Sequence, residues 1–437
     1  MAHAIRTASG ADALRAAARI IVPTVAKGAV IRRPLAERAA ARFALDEKAI
    51  ETMHALRRRY GGAALRLGFP LRPQLLLLDA ADVERVLLDT PVPFATRSVE
   101  KAAALQHFEP GNVLISTPEE RRRLRPLHEV ALCPRDTVHP CADRFRAIVD
   151  DEFVTRQAER GRGRWDWPRF ATAWFRLVRR VVFGDAAAGD EGLQPLLNRL
   201  RGRANWSYLM PKDRVGRARL LARIAHLADS ADAQALAARM PEGEERASQI
   251  AQWLFAFDSA GMATFRMLAL LAAYPQHRQR LSDEAANPDR AGDFARRCLL
   301  ESLRLWPTVP AILRETGEDV LWGDEIVPAG IGIMIYAPFF LRDELRIPQP
   351  HVLQPDLWLA GDAVPARGLI PFSAGAGLCP AHSLVPQLAA MVAAALLAEG
   401  QPADLSVRLD PHRLQGTLDH YRLSLSITAR AAAQSSE

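Results

Sequence analysis

Residues 246 to 274 constrain this chain more than any other stretch. They include Ile250, Trp253, Leu254, Phe257, Met262, Phe265, Leu268 and Leu271, and end in Tyr274-Pro275. At helical spacing these side chains cover more than one face, so the helix must be surrounded by protein rather than half solvated. Pro275 lacks the backbone donor needed to continue it. A helix buried all round requires others to bury it. Periodicity predicts these at 46–60, 80–89, 118–132, 142–160, 165–183, 190–237, 291–305 and 380–398. Apolar runs at 63–69 and 73–78 predict a hairpin, with further strands at 309–313, 319–322, 331–336, 404–409 and 420–428. The expected fold is mainly α with small β-sheets.

Composition narrows the function classes. With 49% hydrophobic and 24% charged residues in 437, the chain can bury a large core, and dominant disorder is excluded. The four cysteines, Cys133, Cys141, Cys298 and Cys379, form no C-x-x-C pair. A disulfide scaffold or zinc ribbon has no support, and the irregular spacing of Cys133 and Cys141 from His128 and His139 argues against a metal cluster there. Few cysteines suit a reducing cytoplasm. The net charge of +7 favours acidic partners, but the densest basic run, Arg121-Arg122-Arg123-Leu124-Arg125, lacks interleaved aromatics. Nucleic acid is therefore not expected. The most apolar early stretch, 18–31, is broken by Arg19, Pro23 and Lys27, so neither a signal peptide nor an integral membrane segment is expected. Residues 1–45 read as a basic arm or helix, and 46–437 as one large domain. The long stretch 90–117 reads as a functional loop.

Three separated features carry chemistry. Phe372-Ser-Ala-Gly375-Ala-Gly377-Leu-Cys379-Pro-Ala381 is a Gly-rich loop presenting one thiol where a helix begins. A helix N-terminus favours the thiolate, so the thiol is expected to ionise readily and to suit an axial haem ligand; a buried structural cysteine is the alternative. Glu301 and Arg304 share a helix face in an apolar setting, which suggests a buried pair rather than a solvated one. Asp258-Ser259 lies inside the apolar helix, two residues before Gly261, where an acid is costly unless partnered or used. A polar kink satisfied by backbone carbonyls is equally consistent.

In this order the features resemble the cytochrome P450 family, the haem-thiolate monooxygenases, over roughly residues 46–430. The resemblance implies a single helical domain with haem between the long central helix and the Cys-bearing helix. It makes Cys379 the proximal iron ligand, with Phe372 and Gly375 shaping its loop. Gly377 stands where the family usually has a base on a haem propionate, and Ala381 replaces a Gly. The resemblance offers Arg121, Arg125 and Arg314 as propionate partners, and Glu301 and Arg304 as the family's structural Glu-x-x-Arg pair. The third member of that motif, an Arg, falls on Leu357; Arg367 is the nearest substitute. For the proton relay, Ser259 lies 16 residues before Pro275 and Thr264 only 11. The family spacing of about four turns favours Asp258 and Ser259.

The same resemblance implies haem b (iron protoporphyrin IX), O2 as oxidant and insertion of one oxygen atom into an apolar small molecule. Substrate contacts fall on His107, Phe108, Phe255, Val309, Ile312, Leu414 and Thr417. Only 58 residues follow Cys379, so a separate ferredoxin-type donor with its reductase is expected. A peroxide-dependent haem-thiolate enzyme and a non-catalytic haem binder are the alternatives.

Overall fold

The computed structural model describes residues 4–69, 72–159, 163–285, 292–359, 361 and 364–428. The helices that frame the site are α1 (Leu45–Tyr60), α2 (Ala80–Leu88), α3 (Val99–Leu105), α4 (Pro118–Leu132), α5 (Trp167–Phe183), α6 (Leu193–Ala204), α7 (Arg214–Asp229), α8 (Arg246–Ala273), α9 (Pro275–Ala285), α10 (Asp293–Leu305) and α11 (Leu384–Glu399). The long apolar segment is α8. It packs against α5, α7, α10 and α11, and Ile250, Ala263, Phe265, Met267 and Leu270 are fully buried. Its length and hydropathy would let it cross a membrane, but its most apolar window is 83% buried within the protein. It is the core helix of the fold.

The strands form a six-stranded sheet of β1 (Ile5–Thr7), β2 (Ala64–Leu67), β3 (Gln74–Leu76), β4 (Phe94–Ala95), β5 (Ala311–Thr316) and β6 (Gly332–Tyr336), in the order β1-β2-β3-β6-β5-β4. The expected hairpin is β2–β3, antiparallel with Leu65 opposite Leu76. β5 and β6 are also antiparallel, Arg314 facing Ile333. One apolar cluster lies among the helices and a second beneath this sheet.

Several expectations shift. The stretch 90–117 contains β4 and α3, because Ser98 caps α3 by accepting from the Lys101 backbone N–H at 3.3 Å. The segment 190–237 divides into α6 and α7 around an exposed turn at Trp206–Met210. At the end of the chain, Gln401–Ala403 pairs with Ser424–Thr428, and 404–409 forms no strand. The N-terminal arm is integrated: β1 adds a parallel strand to β2, and buried Lys27 pairs with Asp46 at 2.5 Å.

Candidate functional site

The Cys379 loop is shaped by its backbone. Gly375 has φ +59, and a Cβ there would collide with the Leu87 carbonyl, so only glycine fits. The Cys379 N–H donates to Phe372 O at 3.0 Å, and the Leu378 N–H to Gly375 O at 3.0 Å. Regular helix begins at Leu384 rather than at the cysteine, after a turn at 380–383. Burial pushes the Cys379 thiol up, against smaller opposing effects of the Ala381 N–H and Arg125. The expectation of a freely ionising thiol is corrected: desolvation outweighs the partial charge of nearby amides, so a cation at the sulfur is what would favour the thiolate.

Cys379 faces α8 across one cavity, which holds about 1400 Å³ of empty space, counting the part open to solvent. α8 contributes Gln252, Phe255, Ala256, Ser259 and Ala260 to its wall. Opposite lie Phe372, Leu378 and Cys379, and Val309, Ile312 and Leu313 close one side. Ser259 therefore lines the cavity. Asp258 turns away and pairs with Arg201 of α6 at 2.6 Å. Thr264, the other relay candidate, is fully buried and donates to Ala260 O at 2.8 Å; it is not part of the cavity wall. Gly261 makes room for Trp174, whose indole N–H donates to Phe257 O at 2.8 Å.

One end of the cavity is cationic without matching anions. Arg121 donates to Val113 O and Ala376 O. Arg314 donates to Leu313 O, Thr90 Oγ1 and Ser373 Oγ. Lys101 donates to Thr96 O at 2.5 Å and Leu313 O at 3.2 Å. No carboxylate bonds to these three among the described residues. Burial, with neighbouring cations second, pushes Arg121 and Arg314 down to about 10 and Lys101 well below its ordinary value. Arg125 also reaches the loop, donating to Leu378 O at 2.7 Å, but is paired with Glu129 at 2.8 Å. Two buried arginines and a half-buried lysine, bonded only to neutral oxygens, are costly without an anionic ligand. A flat apolar group carrying two carboxylates, which haem is, fits this cradle. Arg314 also occupies the space beside Gly377, where a Cβ would strike its guanidinium. The glycine admits a cation from β5 in place of one on the loop itself.

The Glu301–Arg304 pair is wholly buried and bidentate, at 2.6 and 2.8 Å. Arg304 also donates to Leu341 O, Pro350 O and Val352 O. Arg367 makes no bond to Glu301 among the described residues, so the substitute suggested by sequence is not the partner. Trp358 Nε1 and the Gln354 N–H are, at 2.9 and 2.7 Å.

The substrate candidates separate. Phe255, Val309 and Ile312 line the cavity. Phe108 stands behind Phe255, edge to face at 5.8 Å. His107 turns to Ser207 O at 3.3 Å, Thr417 donates to Asp46 at 2.5 Å, and Leu414 bonds through its backbone to His351 and Arg342. None of these last three lines the cavity. Sequence reasoning missed Lys101 and Gln252; a lysine in a predicted loop and a glutamine in an apolar helix gave only weak signals.

A mainly helical protein with a cysteine loop facing its core helix, and a cationic rim on the cavity between them, has the architecture of a haem-thiolate protein. Residues 244–384 match the sequence model of the cytochrome P450 family. Similar proteins include cytochrome P450 4c3 of Drosophila melanogaster, 31% identical over 137 residues, which are 28% of this chain and 26% of that one. Cytochrome P450 85A3 of Solanum lycopersicum is 31% identical over 98 residues, 22% of this chain and 21% of that one. The aligned part spans about a quarter of the length of these curated relatives. The crystal structure of CYP175A1 from Thermus thermophillus shares the fold, with TM-score 0.67 and 19% identity over 89% of this chain and 98% of that one. Over residues 244–384 the chain is similar to the cytochrome P450 family, and it shares the fold of a P450 structure; that family implies a haem cofactor.

Proposed function

We propose that the protein is a haem-thiolate monooxygenase that uses O2 and haem b to insert one oxygen atom into an apolar small molecule. The observation that carries this reading is Cys379 facing Ser259 across a mostly apolar cavity with a cationic rim. Cys379 is the residue to hold the iron, and Arg121, Arg314, Lys101 and Arg125 are those to hold the propionates. When bound, haem supplies the redox chemistry that activates dioxygen.

The chain's own residues supply orientation, dryness and protons. Phe255, Ala256, Ala260, Val309 and Ile312 exclude water and hold a hydrocarbon surface. The Ser259 hydroxyl faces the cavity, where it holds a water or passes a proton. Asp258, held by Arg201, fixes this turn of α8 and is a positioning residue in the state described. Electrons come from a separate ferredoxin-type donor, whose acidic surface would be steered by exposed cations such as Arg122 on α4.

The test is the spectrum of the reduced carbon-monoxide complex. The expected result is a thiolate-type red-shifted Soret band that Cys379→Ala abolishes. A band without that shift, or one the substitution leaves unchanged, would remove the reading.

A further inference from the structure

Gln252 lies on α8 two turns before Ser259, on the same cavity wall. It is 7% exposed. Its Oε1 is buried without a partner, and its side-chain amide makes no protein hydrogen bond among the described residues. Gln249, one turn earlier, shows what a settled amide looks like here: it donates to Gly111 O at 2.7 Å and accepts from His128 at 3.0 Å. Phe255, Ala256, Val113 and Leu114 line the same cavity as Gln252.

A buried amide without partners costs on the order of 1–3 kcal/mol. Leucine or methionine would fill the same space in an apolar helix without that cost. We infer that Gln252 is a specificity-determining residue that hydrogen-bonds the substrate, and that the substrate is an apolar molecule carrying a hydroxyl. The amide can both accept from and donate to a hydroxyl. Seven residues of helix set that group roughly 10 Å along α8 from Ser259. A site built this way rejects the analogue lacking the polar group, because the amide is then left unpaired beside hydrocarbon. The inference deepens the proposed function and rests on it, since it takes this cavity to be the substrate site.

The experiment uses the haem-loaded full chain and two probes, 1-decanol and decane. Their dissociation constants are measured by equilibrium dialysis on the native protein and on Gln252→Leu, with Gln252→Met as the second variant. The ratio of the decane constant to the decanol constant cancels the general apolar contribution. It should fall by roughly tenfold in both variants, while decane binds at least as tightly as before. Thermal unfolding is followed alongside. Variants that gain stability with an unchanged ratio would show the amide to be a packing defect and overturn the inference. Decanol and decane failing to bind the native protein would overturn it as well. The carbon-monoxide spectrum of the same samples separates the two readings: an intact thiolate band with an unchanged ratio leaves the enzyme class standing and removes only the role of Gln252.

Discussion

The indole N–H of Trp358 donates to Glu301 Oε1 at 2.9 Å, at the place where the family pattern expects a third charged residue. The neighbour in sequence, Leu357, packs instead into a small apolar cluster with Leu300, Ile347 and Leu369. The segment is still clamped by charge, but in the opposite sense: Asp356 takes Arg280 of α9 at 2.8 Å and Arg297 of α10 at 2.6 Å. A neutral donor to Glu301 leaves the Glu301–Arg304 pair electrically balanced, where a second guanidinium would bury an extra charge.

Trp358→Phe keeps most of the packing and removes the donor. The carboxylate retains Arg304 and the Gln354 N–H, so the expected loss is about 1–3 kcal/mol in urea unfolding. A change near zero would show that Arg304 alone satisfies Oε1.

Gly377 and Arg314 form a second exchange. Gly377→Arg restores the base that the family carries on this loop, but the space is already filled by the Arg314 guanidinium. The single substitution should lower haem content per protein, measured as pyridine haemochrome. Combined with Arg314→Ala it should recover much of that loss, because one cation again occupies one place. Equal haem content in the native protein and the single variant would show that Arg314 yields without cost.

These exchanges mark where sequence was informative and where it was not. The core helix, the Cys379 loop and the Glu301–Arg304 pair were legible because each depends on local spacing: apolar period, glycines at fixed offsets, and i to i+3 on one face. The direction of Asp258 was not, since Arg201 arrives from a helix 57 residues away. Lys101, Trp358 and Gln252 were equally hidden, because their roles depend on what tertiary packing sets opposite them. His107, Leu414 and Thr417 sit on the expected segments but point to other partners.

Asp258 and Arg201 give a third prediction. Arg201 is 1% exposed and Asp258 is its carboxylate partner; the guanidinium also lies 5.1 Å from the Phe255 ring. Asp258→Asn leaves a buried cation without its anion, which costs roughly 3–5 kcal/mol. Ser259→Ala removes only a hydroxyl facing the cavity and should leave stability within about 0.5 kcal/mol. Turnover should respond in the other order of specificity. Ser259→Ala should raise the share of reducing equivalents lost as peroxide without loss of fold, while Asp258→Asn should lose activity and stability together. Measuring product per NAD(P)H consumed beside urea unfolding tests both, and a fully stable but inactive Asp258→Asn would make Asp258 a direct proton donor instead.

His128, one turn after Arg125 on α4, provides the pH dependence. It is fully buried, accepts from Trp253 Nε1 at 2.9 Å and donates to Gln249 Oε1 at 3.0 Å. Both bonds suit the neutral ring. Burial, together with nearby Arg125 and Arg121, pushes its pKa down to about 4. In the unfolded chain the ring takes its proton near 6.5, so between these values the unfolded state binds more protons than the folded one. Stability from this residue is complete above about pH 6.5 and falls as pH drops toward 4, by about 3 kcal/mol in all. Urea unfolding at pH 7, 6 and 5 should show the decline, and His128→Asn, which cannot titrate, should flatten it while lowering stability at pH 7. A slope unchanged by the substitution would assign the acid sensitivity to other buried histidines, of which His420 is the most enclosed.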